Sequence, residues 1–272
     1  MKIIKTLFLI LTLAFAAFGQ KDKNDEPKFD MAGFDEKFKI AEWLVQYDLV
    51  AWKTTDEVLK QDPKELEKLG SEWFCFQDKN GLWHAVYGKF ADEKYEMVFH
   101  FTMDKDSKIT RTTEKVDAGF LNSHSKALIK ANQQMQTALK DVPAPRFNQY
   151  IKQNADKTFT VWLLPAFQTN RMAVYGGEFI YTIDRTGSKI LKDESYFQGD
   201  FRGFKTEPPR EIWLNYSELE KPTLGAIFFV WYYKSYFTKI FIETAKSTST
   251  VIQTEPQNYI WVHVEKEEDE SK

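Results

Sequence analysis

Residues 73–103, WFCFQDKNGLWHAVYGKFADEKYEMVFHFTM, decide the fold. Three apolar runs are separated by two polar breaks. The first break, Asp78-Lys79-Asn80-Gly81, contains Asn-Gly, the dipeptide that best suits the positive φ of a tight hairpin. The second, Ala91 to Lys94, separates strands over Leu82–Phe90 and Tyr95–Met103. In the third run Tyr95, Met97, Phe99, Phe101 and Met103 fall on one face and Glu96, His100 and Thr102 on the other. Val98 alone breaks this period-2 alternation, which reads as an antiparallel meander with one buried face.

Upstream, Phe38, Ala41, Val45 and Trp52 recur at helical spacing, widened by Ile40, Leu44 and Tyr47, and predict a helix over Asp35–Trp52. Asp62-Pro63-Lys64-Glu65 begins a short second helix. Asp62 is placed to cap, Pro63 fits the first turn, Glu65 is positioned to reach back, and Gly70 ends the helix. Downstream, a turn over Asp104–Lys108 leads to a strand over Ile109–Val116. From Asp117 to Lys140 the period returns to helical, with Phe120, Leu121, Leu128, Met135 and Leu139 on one stripe. Pro143 and Pro145 stop it.

After the prolines the sequence reads as strand. The expected strands are Phe147–Gln153, Thr158–Phe167, Met172–Ile183, Ile190–Phe197, Leu224–Tyr233, Thr238–Thr244, Thr248–Thr254 and Tyr259–Glu265. The apolar run LGAIFFVWYYKSYF (224–237) is assigned to a central strand, being too short for a membrane span and broken by Lys234. Gly199–Arg210, with two glycines and Pro208-Pro209, is expected to be a long loop. Ala85-Val86-Tyr87-Gly88 recurs as Ala173-Val174-Tyr175-Gly176. Phe101–Asp104 with Ser107-Lys108-Ile109 recurs as Tyr181–Asp184 with Ser188-Lys189-Ile190. Duplication and the limited vocabulary of hairpins explain this echo about equally well.

The fold class that follows is α+β: largely antiparallel sheet packed with an N-terminal helix and one long central helix. The domain plan is a secretory signal over 1–19, a disordered linker over 20–33, one domain over 34–265 with a sub-boundary near 141–147, and a disordered charged tail over 266–272. The signal rests on Lys2 and Lys5, an uncharged stretch from Thr6 to Phe18, and small residues at Ala17 and Gly19. That stretch is shorter than the ~20 residues of a spanning helix, so the mature chain is expected to lack a membrane span and to be periplasmic or secreted.

Without residues 1–19 the chain carries 35 basic and 40 acidic side chains. A basic nucleic-acid footprint is therefore missing, and no nucleic-acid partner is expected. The one cysteine, Cys75, lies in an apolar run and reads as a buried thiol.

Four histidines form none of the usual zinc spacings, so no metal and no cofactor is expected. No G-x-S-x-G, Walker or Rossmann glycine pattern occurs. The candidates for chemistry are Glu178, which follows Gly176-Gly177 inside a strand pattern, and the pair His84 and His100. Two glycines there suggest a bulge, with Glu178 facing solvent. With Phe90 opposite Tyr95, uninterrupted register sets His84 opposite Phe101 and His100 opposite Ala85. The two histidines then point to opposite faces unless a bulge intervenes.

The functional expectation is an exported, non-enzymatic module of the cell envelope that binds a ligand or partner: a glycan, a peptide or an envelope protein. An envelope hydrolase whose site assembles only in three dimensions, and a structural envelope component, are the alternatives.

Overall fold

The computed structural model describes residues 29–266. The expected signal over 1–19, most of the linker and most of the tail lie outside them. Among the described residues four helices and thirteen strands form three sheets. The helices are α1 (Met31–Val58), α2 (Pro63–Leu66), α3 (Ala118–Ala138) and α4 (Leu224–Tyr233).

Sheet I joins β1 (Glu72–Gln77), β2 (Trp83–Ala91), β3 (Lys94–Met103) and β4 (Ile109–Arg111) in chain order. Sheet II joins β5 (Phe147–Gln153), β6 (Phe159–Pro165), β7 (Met172–Ile183) and β8 (Ile190–Asp193), with β9 (Tyr196–Lys205) also on β7. Sheet III joins β10 (Glu211–Tyr216), β11 (Lys239–Thr244), β12 (Ser247–Glu255) and β13 (Asn258–Glu265). Every pairing is antiparallel except β10 with β11, which α4 connects. This is the expected α+β class, with antiparallel sheet dominant.

Helix α1 starts earlier than its periodicity suggested. Asp30 caps it by accepting the Gly33 N–H at 3.0 Å, so residues 31–33, assigned to the linker, form its first turn. Its buried stripe, Phe34, Ala41, Leu44, Tyr47, Ala51, Thr54 and Val58, repeats at three-, four- and seven-residue steps. Asp62 caps α2 through Lys64 N at 2.8 Å, but Glu65 turns outward to pair with Arg111. Gly70 does not adopt a left-handed cap; its N–H bonds to the Gly88 carbonyl.

Sheets I and II are buried on both faces. On one side Cys75, Ala85, Tyr87 and Phe101 of sheet I and Tyr150, Leu164 and Tyr175 of sheet II pack with α1 and α4. On the other, Phe74, Val86, Val161, Phe179 and Tyr181 pack with α3 through Leu121, Leu128 and Met135. Alternation therefore persists, but both alternating sets are apolar. The thiol of Cys75 is fully buried, and burial raises its pKa.

The run from Leu224 forms helix α4, not a strand. It is apolar on nearly every side because it sits between sheet III, β7 and α1, so no polar face gives away its period. Thr223 starts it by accepting the Ala226 N–H at 3.1 Å. Residues 199–205, expected in a loop, belong to β9, and Glu211–Tyr216 forms a strand whose alternating burial was overlooked. The echoed Tyr-Gly steps, Tyr87-Gly88 and Tyr175-Gly176, both sit at register shifts. Asp104 and Asp184 both accept backbone N–H bonds within their turns, so turn chemistry accounts for that part of the echo.

A polar knot ties α1, β5 and α4 together. Asp48 accepts from Asn148 Nδ2 at 2.9 Å, from the Tyr150 hydroxyl at 3.2 Å and from the Tyr232 hydroxyl at 2.7 Å. Burial raises its pKa, and the two phenols oppose that rise. Replacing Asp48 by alanine strands the buried Tyr150 hydroxyl and the part-buried donors of Asn148 and Tyr232. The expected loss is about 3 kcal/mol in denaturant unfolding; a loss below about 1 kcal/mol would show that the donors find other partners. The described ends of the chain also meet: Phe29 N donates to Glu265 Oε1 at 3.0 Å.

Candidate functional site: a cleft beside a buried carboxylate

The site begins with the glycines of β7. Gly176 has φ of +112°, and a Cβ built on it would meet the Asp200 carbonyl oxygen at 2.5 Å. The register of β7 against β9 slips here: Tyr175 faces Arg202 while Gly177 faces Phe197. The expected bulge is present. Beyond it Phe179 and Tyr181 point to α3, and Glu178 and Ile180 point to the α1 and α4 side.

Glu178 does not face solvent. It is 5 % exposed and lies against the N-terminal turn of α4. Its carboxylate accepts a hydrogen bond from Gly225 N, and the Thr223 hydroxyl and Leu224 N–H also face it. Burial pushes its pKa up to about 7; these hydrogen bonds and the charge of Lys37 restrain the rise. Glu178 thus serves as the anion that the positive end of α4 favours. In the sequence it is visible only as a carboxylate after a glycine pair; its burial depends on α4, whose residues read as a strand.

Next to it opens a cleft of about 730 Å³. Helix α1 contributes Lys37 and Ile40, sheet II contributes Lys152, Trp162, Ile180 and Thr182, and the segment entering α4 contributes Leu219 to Leu224. The Lys37 Nζ donates to the Pro222 carbonyl at 2.7 Å, which holds this segment to α1. Half-burial lowers the Lys37 pKa and the Glu178 charge counters it. Lys152 lies over the Trp43 ring, 5.3 Å from its centroid, and Trp43 in turn contacts Trp162 and Trp83. A second groove of about 630 Å³ opens at the start of α3, lined by Phe120, Lys157 and Arg185 among others. Every one of its side chains is at least partly exposed, so nothing in it is held in a tuned environment.

The two histidines come together, against the uninterrupted register. Phe90 does face Tyr95, but Val98 is an extra residue in β3. Tyr87 therefore faces Phe99 while Gly88 faces Met97, and His84 ends opposite Thr102 with His100 opposite Val86. His84 Nδ1 and His100 Nε2 are 2.9 Å apart, and His100 Nδ1 lies 3.0 Å from the Glu114 carbonyl. A carbonyl only accepts, so His100 carries its proton on Nδ1 and accepts from His84 Nδ1–H. That leaves His84 Nε2 an unprotonated, buried nitrogen with no partner among the described residues. His84 stacks flat on Phe76 at 4.8 Å. Burial and the neighbouring His100 lower its pKa.

Neither histidine lines the Glu178 cleft, so the structure does not unite the three candidates. Among the described residues no cluster of three or more His, Cys, Asp or Glu side chains could hold a metal ion, and no helix is long and apolar enough to cross a membrane.

The exposed aromatics do not gather at the cleft. Trp52 stands on α1, Tyr236 lies in the connection after α4, and Trp213 stacks on Phe241 at 4.3 Å on the outer face of sheet III. Lys37, Lys152, Trp162 and Thr223 went unnoticed in the sequence because they lie on four segments that only the fold assembles. No protein-family model matches this chain, and neither a curated protein nor a solved structure is significantly similar to it.

Proposed function

We propose that this chain is an exported ligand-binding protein of the cell envelope, delivered by the signal over 1–19, and that the cleft between α1, sheet II and the start of α4 is its binding site. The observation that carries the reading is the cleft itself: concave, floored by Ile40, Trp162, Ile180 and Leu224, and edged by lysines, glutamates and threonines. Ligand sites commonly combine an apolar floor with a few placed polar groups. The Glu178 carboxylate is engaged by the backbone of α4, which favours a positioning role over proton transfer. A hydrolase reading would want a second acid or base beside it, and His84 and His100 lie on sheet I instead.

The test is a thermal-shift screen of the chain from Gln20 onward against glycans, peptides and amphiphiles. A ligand that binds only the folded state raises the midpoint with concentration. Ile180→Glu places a charge on the half-buried floor of the cleft. It is expected to weaken that ligand at least roughly tenfold. A ligand whose midpoint shift survives Ile180→Glu unchanged binds elsewhere, and the cleft is then not the site.

A further inference from the structure

We propose that the cleft takes an organic anion with an apolar body, and that its capture is coupled to protonation of Glu178. This rests on the cleft being the binding site. The charges around it argue for the class. Of the ionic side chains lining the cleft, Lys221 pairs with Asp30 at 2.9 Å, Glu220 with Lys246 at 2.9 Å and Glu194 with Lys192 at 2.8 Å. These are answered outside the cleft. Lys37 and Lys152 have no carboxylate within salt-bridge distance among the described residues, so over the apolar floor two lysines face one buried carboxylate, Glu178.

Glu178 sets how much of that charge a ligand feels. It is the buried anion whose field reaches Lys37. Ionised, it offsets the Lys37 ammonium and repels an incoming anion; protonated, it leaves the ammonium to the ligand. The other titratable groups facing it are Lys37 from α1, Tyr196 from β9 and Tyr216 from β10, with Lys152, Glu194, Glu220 and Lys221 around the cleft. Burial raises both phenols, Tyr196 to about 12 and Tyr216 well above the ordinary phenol value, so neither changes charge near neutrality. Glu178, at about 7, does. Linkage then requires that an anion bound beside it at neutral pH draws in a proton.

The probe is 1-anilinonaphthalene-8-sulfonate, an apolar fluorophore whose sulfonate stays anionic across the working range. N-phenyl-1-naphthylamine is its uncharged counterpart. The sulfonate is expected to bind roughly tenfold more tightly at pH 5.5 than at pH 8.5, and the uncharged probe to show no such change. Glu178→Gln is expected to hold the tighter affinity at both pH values, and Lys37→Gln with Lys152→Gln to weaken the sulfonate at pH 5.5.

Titration calorimetry on the unmutated protein at pH 7, in buffers of different ionisation enthalpy, is expected to show uptake of a fraction of a proton per sulfonate bound. Sulfonate binding that Ile180→Glu does not disturb overturns the cleft reading and this proposal with it. Binding that is sensitive to Ile180→Glu but shows neither proton uptake nor pH dependence overturns the coupling and leaves the cleft. Equal affinity for charged and uncharged probes overturns the anion.

Discussion

Replacing Gly176 by alanine is expected to destabilise the protein by about 3 kcal/mol, combining backbone strain with a steric collision. The φ of +112° is a conformation that side-chain-bearing residues rarely adopt. The added Cβ also has nowhere to go, because the atom it meets at 2.5 Å is the backbone oxygen of Asp200. A flexible side chain could swing away; a strand carbonyl moves only if β9 moves. In a chain of this size the loss corresponds to a fall of roughly 6–12 °C in the melting midpoint. Because the bulge aims Glu178 at α4, any folded Gly176→Ala protein is also expected to bind the sulfonate probe with less dependence on pH. A midpoint within about 2 °C of the parent would show that the bulge tolerates a side chain and that its geometry is not what holds Glu178 in place.

The second large effect is the pH dependence of stability. The folded protein holds the Glu178 proton more tightly than the unfolded chain does, with a pKa of about 7 against an ordinary 4.5. Its contribution is therefore fully present below pH 4.5 and is lost as the pH rises to about 7, an amount on the order of 3 kcal/mol. His124 works the other way. It is 1 % exposed, its Nδ1 bonds the Phe120 carbonyl at 2.7 Å, and burial holds its pKa down to about 4 against an ordinary 6.5. Its contribution is present above pH 6.5 and is lost as the pH falls towards 4. His84 and His263, also lowered mainly by burial, tilt the curve in the same direction as His124.

The parent protein should therefore show a muted profile between pH 4.5 and 6.5, where the two trends oppose each other. Glu178→Gln removes one of them. Its stability relative to the parent is expected to climb by on the order of 3 kcal/mol between pH 4 and pH 8. Denaturant midpoints across that range measure the difference. Parallel profiles for parent and variant would mean that Glu178 does not titrate in the folded state as its burial implies.

The parts of this fold that sequence alone revealed are those in which local chemistry is self-sufficient. Asp78 to Gly81 turns because Asp78 accepts backbone bonds from Asn80 and Leu82 and Gly81 supplies φ of +82°. Helix α1 announced itself because one side meets water. Helix α4 did not, since α1, β7 and sheet III enclose it and its ten residues contain no charge. The histidine pair was lost to one inserted residue: Val98 looked like a flaw in an alternating face and was the bulge that reset the register. Glu178 was visible as a candidate, but its environment was not. Lys37, Lys152 and Thr223 are dictated by no spacing in the chain; they line one cleft with Glu178 because a helix, two sheet strands and a helix entry converge.

The contact between Phe29 and Glu265 brings the two ends of the described domain to one corner. A covalent joint there would ask little of the structure. A short glycine-serine bridge from residue 266 to residue 29, with new ends cut in the exposed turn at Lys105-Asp106, would rearrange the order of synthesis and leave all three sheets intact. Such a circular permutant would also let a reporter be carried at the Lys105-Asp106 turn instead of beside Phe29 and Glu265.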